Sequence, residues 1–117
     1  TYAYDKEGLQ TKREREVKAA KRIFGLLPQD KGSRLYDLWE EFEAYESAEA
    51  KYAHMLDNFQ PLMLNDALGG RSWREHQVKK SQVCRRNEKT HEGSEKVWKY
   101  MEGLIQKNVE KGNILDE

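Results

Sequence analysis

An all-α fold of about five helices is what this sequence predicts, and three observations carry it. Apolar residues recur at helical spacing along most of the chain, whereas the strict alternation of a half-buried strand is nearly absent. Capping and stopping residues punctuate these stretches. The third observation is compositional. Charged residues make up 36% of the chain, the hydrophobic set 37%, and mean hydropathy is −1.06. A chain this polar stays disordered when it also has a large net charge and few aromatics. Here 21 Lys and Arg balance 21 Asp and Glu, with three Trp, six Tyr and three Phe, and only two Pro. A salt-bridged helical domain fits that balance.

The elements follow in order. Thr1–Gly8 has no period, so Tyr2 and Tyr4 read as loop. A first helix is predicted from about Thr11 to Phe24, with Val17, Ala20, Ile23, Phe24 and Leu27 at helical spacing and Gly25 as its stop. Leu26–Leu27–Pro28 then connects. The second helix carries Leu35, Leu38, Trp39, Phe42 and Tyr45 as one stripe, with Glu40, Glu41 and Glu43 turned elsewhere. Ser47 is the N-cap of a third helix, with Glu49 in its first turn. Its expected core residues are Tyr52, Ala53, Leu56, Phe59 and Met63. Pro61 cannot donate to the Asp57 carbonyl, so a kink or loosening is expected there. Gly69–Gly70 ends the segment, and Ser72–Glu75 has the spacing of a capping box opening a fourth helix to about Arg86. Asn87–Gly93 reads as loop. Ser94 caps a last helix with Val97, Trp98, Met101, Leu104, Ile105 and Asn108 on one face, stopped by Gly112.

Length and charge exclude several classes. A chain of 117 residues allows one domain or a piece of one. No apolar run approaches the ~18 residues of a membrane span, and no signal peptide opens the chain, so no membrane association is expected. Cys84 is alone, which excludes an internal disulfide and makes a reducing cytoplasm the default location. Zero net charge gives no general attraction to nucleic acid. The basic clusters Lys12–Arg15, Lys79–Lys80 and Arg85–Arg86 read as solvated helix faces.

Few residues suggest chemistry. His54, His76 and His91 are too far apart in sequence for a zinc-binding helix pair, and no nucleophile elbow or phosphate-cradling glycine loop occurs. Arg85 and Arg86 beside Cys84 are the setting that lowers a thiol pKa, but an inert helical cysteine is the plainer reading. Among the carboxylates Asp57 differs from the rest. It lies between Leu56 and Phe59 in the most apolar helix, one turn before Pro61. An acid buried there must be paired, hydrogen-bonded or metal-bound. From the pattern alone, a place on the polar face beside Lys51 or His54 is the plainer reading.

Three segments taken together carry a family resemblance. They are Arg22-Ile-Phe-Gly-Leu-Leu-Pro28, then Leu38-Trp-Glu-Glu-Phe-Glu43 with Glu49-Ala-Lys51 and Asp57, then Gly69-Gly-Arg-Ser-Trp73 with His76 and Arg86-Asn87. The chain resembles the HD-domain phosphohydrolases, in particular their compact helical branch of 5′-deoxynucleotidase-like enzymes. The resemblance implies an HD-like helical bundle and a metal-dependent hydrolase of phosphate esters, with a nucleotide as a candidate substrate. It implies a divalent ion (Co, Mn, Mg, Zn or Fe) held by histidines, a His-Asp dipeptide and a later aspartate, which corresponds here to Asp57. Glu43 matches a recurrent acid of the Trp-Glu-Glu segment, with a role in orienting substrate or a metal ligand; a helix-surface salt bridge is the alternative.

The chain departs from the family at one point. It has no His-Asp dipeptide, and no histidine precedes His54. The catalytic residues and remaining metal ligands are therefore expected upstream of Thr1. On this reading, residues 1–117 are the C-terminal part of one HD-like domain, a piece that lacks the metal and is inactive alone. Its uncovered apolar faces should drive association between copies. The alternative is a non-catalytic interaction or scaffold module built on the same fold.

Overall fold

The computed structural model describes residues 5–117. Among them the regular structure is all helical, with no strand and one isolated parallel bridge, Lys79 to Leu115. The eight helical segments are α1 (Lys6–Gln10), α2 (Lys12–Phe24), α3 (Gln29–Ala44), α4 (Ala48–Ala67), α5 (Arg71–Glu75), α6 (Lys80–Asn87), α7 (Thr90–Gly93) and α8 (Glu95–Glu110). Five of these have eight residues or more, which is the expected number of substantial helices. Two compact units result, one ending at Ala44 and the other running Tyr45–Glu117.

In the first unit α2 packs on α3. Phe24 meets Tyr36 edge-on at 6.4 Å, and Tyr36 lies 5.7 Å from Trp39. Arg13 joins the two helices from outside. Its guanidinium sits 4.8 Å over the Trp39 ring and forks onto both Glu40 oxygens at 3.1 and 3.2 Å. Arg13 belongs to the cluster read as a solvated face; the stacking on Trp39 makes it a packing residue. Tyr2 and Tyr4 lie outside the described residues. The rest of the expected opening loop is corrected by α1, whose first turn Asp5 caps by accepting from the Gly8 amide at 3.1 Å.

In the second unit α4 packs against α7 and α8. A Cβ on Gly93 would stand 2.7 Å from the Lys51 carbonyl oxygen and 2.8 Å from Met55 Cβ, so glycine is what lets α7 approach so closely. Met55, Leu62, Trp73, Val78, Val83, Met101, Ile105 and Ile114 make the core. Ser47 and Ser94 cap α4 and α8 as their sequences predict, accepting from Ala50 and Val97 at 3.1 and 3.2 Å.

Three expectations are corrected here. The buried residues of α4 are Ala50, Met55 and Leu62, while Tyr52, Leu56 and Met63 are exposed. Helix α4 continues past Pro61 to Ala67, with the proline inside it. And the segment Ser72–Arg86 is two helices. The capping box at Ser72 does not form: α5 already starts at Arg71, with Gly70 as its N-cap, and Glu75 pairs with Arg71 at 2.7 Å. The chain enters α5 through Gly70 in the left-handed region, breaks at Gln77 (φ 48°) to bury Val78, and restarts where Gln82 accepts from the Lys79 amide at 2.9 Å. The expected loop Asn87–Gly93 likewise contains the short α7.

Candidate functional site

Asp57 stands near the middle of α4, in the second unit. It is exposed, and no hydrogen bond or ion pair engages its side chain among the described residues. A carboxylate in water has no need of a protein partner, so nothing in these residues commits it. Its helical neighbours are unusual for an exposed acid, however. Pro61, Leu64 and Leu68, four, seven and eleven residues on, fall on the same side of the helix and are also exposed.

Glu43 stands near the end of α3, in the first unit. It pairs with the Arg13 guanidinium at 3.7 Å and is 26% exposed. That is the salt-bridge arrangement weighed in the sequence. Glu40, Glu43 and Trp39 together hold Arg13 fixed, so this cluster orders a cation and leaves Glu43 partly engaged.

Among the described residues no three His, Cys, Asp or Glu side chains come together as a metal centre needs. Asp57 fits a divalent ion as one oxygen ligand, and the described residues alone do not complete a coordination shell. None of the three histidines is brought into such a group. His76 and His91 bond through Nδ1 to the backbone carbonyls of Ser72 and Glu88, at 2.9 and 2.6 Å. His54 stacks edge-on against Tyr45 at 5.0 Å.

Two polar clusters escape a reading of the sequence. The first centres on Asp66 at the end of α4. It accepts from Asn108 Nδ2 at 2.8 Å and from Lys107 Nζ at 2.9 Å, and these bonds hold its carboxyl below the usual range. Asn113 donates on to Asn108 Oδ1 at 2.8 Å, and Arg74 donates to both Asn113 Oδ1 and the Gly69 carbonyl at 2.6 Å. A Cβ on Gly70 would fall 2.5 Å from Asn113 Cγ, so the network also requires that glycine. The second cluster surrounds Tyr45, which adopts φ 56°. Its hydroxyl donates to the Lys89 carbonyl at 3.1 Å, and burial together with the Glu92 carboxylate pushes its pKa up to about 12. The partners of Asp66 are some forty residues away, which is why no local signal reveals them. The one hint was Asn108, a polar residue in line with the apolar stripe of α8.

A cavity of about 410 Å³ opens in the first unit between α2 and the start of α3. It is lined by Lys21, Phe24, Leu27, Gln29, Tyr36 and Asp37 among others, and includes neither Asp57 nor Glu43.

Comparison with known proteins then gives the family. The model of the HD domain matches residues 1–98. The human 5'-deoxynucleotidase HDDC2 is 44% identical over 54 residues, which make up 46% of this chain and 26% of that protein. The same enzyme from Bos taurus is 43% identical over the same share of each chain. The crystal structure of a predicted metal-dependent phosphohydrolase from Magnetospirillum magnetotacticum MS-1 superposes with a TM-score of 0.88 at 37% identity, over 97% of this chain and 57% of that one. The matched stretch thus spans about a quarter of the curated relatives and little more than half of the solved one. With the family model matched along most of its length, and a solved relative sharing its helices, this chain belongs to the HD domain family.

Proposed function

We propose that these 117 residues form the C-terminal part of a metal-dependent phosphohydrolase that acts on phosphate esters, with nucleoside monophosphates as the substrate class. The observation that carries the reading is Asp57: an uncommitted carboxylate on a side of α4 that also exposes Pro61 and Leu64, in a chain of the HD domain family. The names of the relatives support it. The curated ones are 5'-deoxynucleotidases and the solved one a metal-dependent phosphohydrolase.

In this reading Asp57 is one oxygen ligand of a divalent ion (Co, Mn, Mg, Zn or Fe), and the other ligands and the catalytic residues lie outside this sequence. Such an ion, when bound, acidifies a coordinated water and polarises a phosphoryl oxygen. What the chain itself contributes is position. Helix α4 is anchored at one end by the Ser47 cap and at the other by the Asp66 network, which fixes Asp57 between them. In the same reading Glu43 orients substrate or a metal ligand, its pairing with Arg13 being the rival role. The 117 residues alone are inactive, the whole enzyme is cytoplasmic, and isolated copies of this piece associate through uncovered apolar surface.

The test is Asp57→Ala in the full-length protein, read by metal analysis and by phosphate release from nucleoside monophosphates. Both should fall together, activity by at least about 100-fold, with helix content unchanged. Equal metal content and equal hydrolysis in the two proteins would refute the ligand role and favour the competing reading, a non-catalytic interaction module on the HD fold.

A further inference from the structure

The cavity between α2 and α3 has a firm floor. Gly32 seats α3 on α2 so closely that a Cβ there would stand 2.3 Å from the Phe24 carbonyl oxygen, and its amide donates to the Pro28 carbonyl at 2.8 Å. Beside this contact two rings that line the cavity, Phe24 and Tyr36, meet edge-on, and Trp39 backs Tyr36 at 5.7 Å. Both lining rings are half-buried, so each keeps part of its surface for an occupant. A volume of about 410 Å³ lies within the range of small-molecule sites, which combine an apolar floor with a few polar groups.

Here the polar groups carry both signs. Lys21 comes from α2 and Asp37 from α3, and both are exposed. Among the described residues no ion pair or hydrogen bond engages either side chain. Ser33, one turn before Asp37, adds a hydroxyl.

We propose that this cavity binds the zwitterion of an aromatic α-amino acid, with its ring on Phe24 and Tyr36, its carboxylate at Lys21 and its ammonium at Asp37. The charges select the class. An anion alone, a phosphate above all, would meet Lys21 but also face the Asp37 carboxylate; an amine alone would face the Lys21 ammonium. A zwitterion matches both groups and leaves the cavity neutral. Its flat ring suits the stacked and edge-on contacts that Phe24 and Tyr36 offer. Asp57 and Glu43 take no part in the site, which stands whatever their role.

The experiment is a calorimetric titration of the full-length protein with L-tryptophan, and with tryptamine and indole-3-propionate, which each keep one of its two charges. L-Tryptophan should bind with a Kd of about 1 mM or tighter, and each singly charged ligand about tenfold more weakly. Lys21→Ala should weaken L-tryptophan about tenfold without weakening tryptamine, and Asp37→Ala should weaken it as much without weakening indole-3-propionate. Ser33→Trp fills the cavity from an exposed position and should abolish binding with helix content unchanged. No binding of L-tryptophan at about 10 mM would overturn the proposal, as would equal affinity for all three ligands or full binding by Ser33→Trp. AMP bound more tightly than L-tryptophan, and lost in Ser33→Trp, would overturn it in favour of a phosphate ligand.

Discussion

Asp66 and Asp57 sit nine residues apart on one helix and have opposite fates. Asp66 receives two donors and is mostly buried, its side chain 19% exposed; Asp57 receives none among the described residues. For Asp66 the pH dependence follows from the direction of its shift. Folding favours the charged form, so its contribution is fully present above the ordinary carboxylate value of 3.8 and is lost as pH falls through the lowered one. Asp66→Asn should therefore cost about 1–2 kcal/mol at pH 7, and the gap to wild type should narrow progressively as pH falls below 3.8. Thermal unfolding of both proteins from pH 7 to 3 measures this; a gap independent of pH would mean that the charge contributes nothing. At this scale the sequence singled out Asp57 by its place between Leu56 and Phe59; in the structure it is exposed, on the side of α4 that carries Pro61 and Leu64. The sequence was silent on Asp66, because Lys107 and Asn108 meet it only after α4 and α8 have packed.

Helix ends were more legible than helix faces. Ser47, Ser94 and Gly112 are cap and stop signals whose effect lies within one turn, and each ends or begins a helix as read, Gly112 with φ 74°. The last helix also buries the expected side, Met101, Leu104, Ile105 and Asn108. Helix α4 went the other way, since apolar residues stand on more than one of its sides and offer no single stripe, and its buried face is chosen by α7 and α8. Gly93 is the residue that brings α7 onto Met55. The course of α4 past Pro61 yields a prediction. Proline leaves the Asp57 carbonyl without its helical donor, and residue 61 is exposed, so Pro61→Ala adds a bond and removes no packing. It should stabilise the chain by about 1–3 kcal/mol in urea unfolding. A loss of stability instead would show that the proline ring is itself part of the packing.

For the molecule as a whole, the all-α class and family were readable because they depend on pattern and on motifs spread along the chain. The division at Ala44 was not, since no glycine- or proline-rich linker marks it. Nor was the fate of the last residues. After Gly112 the chain turns back along the start of α6. Leu115 donates to the Val78 carbonyl at 3.0 Å and accepts from the Lys80 amide at 2.8 Å; Ser81 donates to the Glu117 carbonyl at 2.9 Å. These bonds satisfy amides that the first turn of a helix leaves open. Ile114, 2% exposed, anchors the return. Ile114→Ala should cost about 2–4 kcal/mol, as for other fully buried aliphatic truncations, with the midpoint of denaturant unfolding as its measure.

That returning segment also bears on the rate at which the second unit forms. Its partners at Val78 and Lys80 are some thirty-five residues back, whereas the α7–α8 junction is made by neighbours in sequence. Closing the longer loop costs more entropy before any contact repays it, so docking of the segment belongs after the barrier to folding. The stability lost in Ile114→Ala should then appear almost wholly as faster unfolding, with the refolding rate little changed. The segment works as a latch, setting how long the folded unit lasts rather than how quickly it is reached.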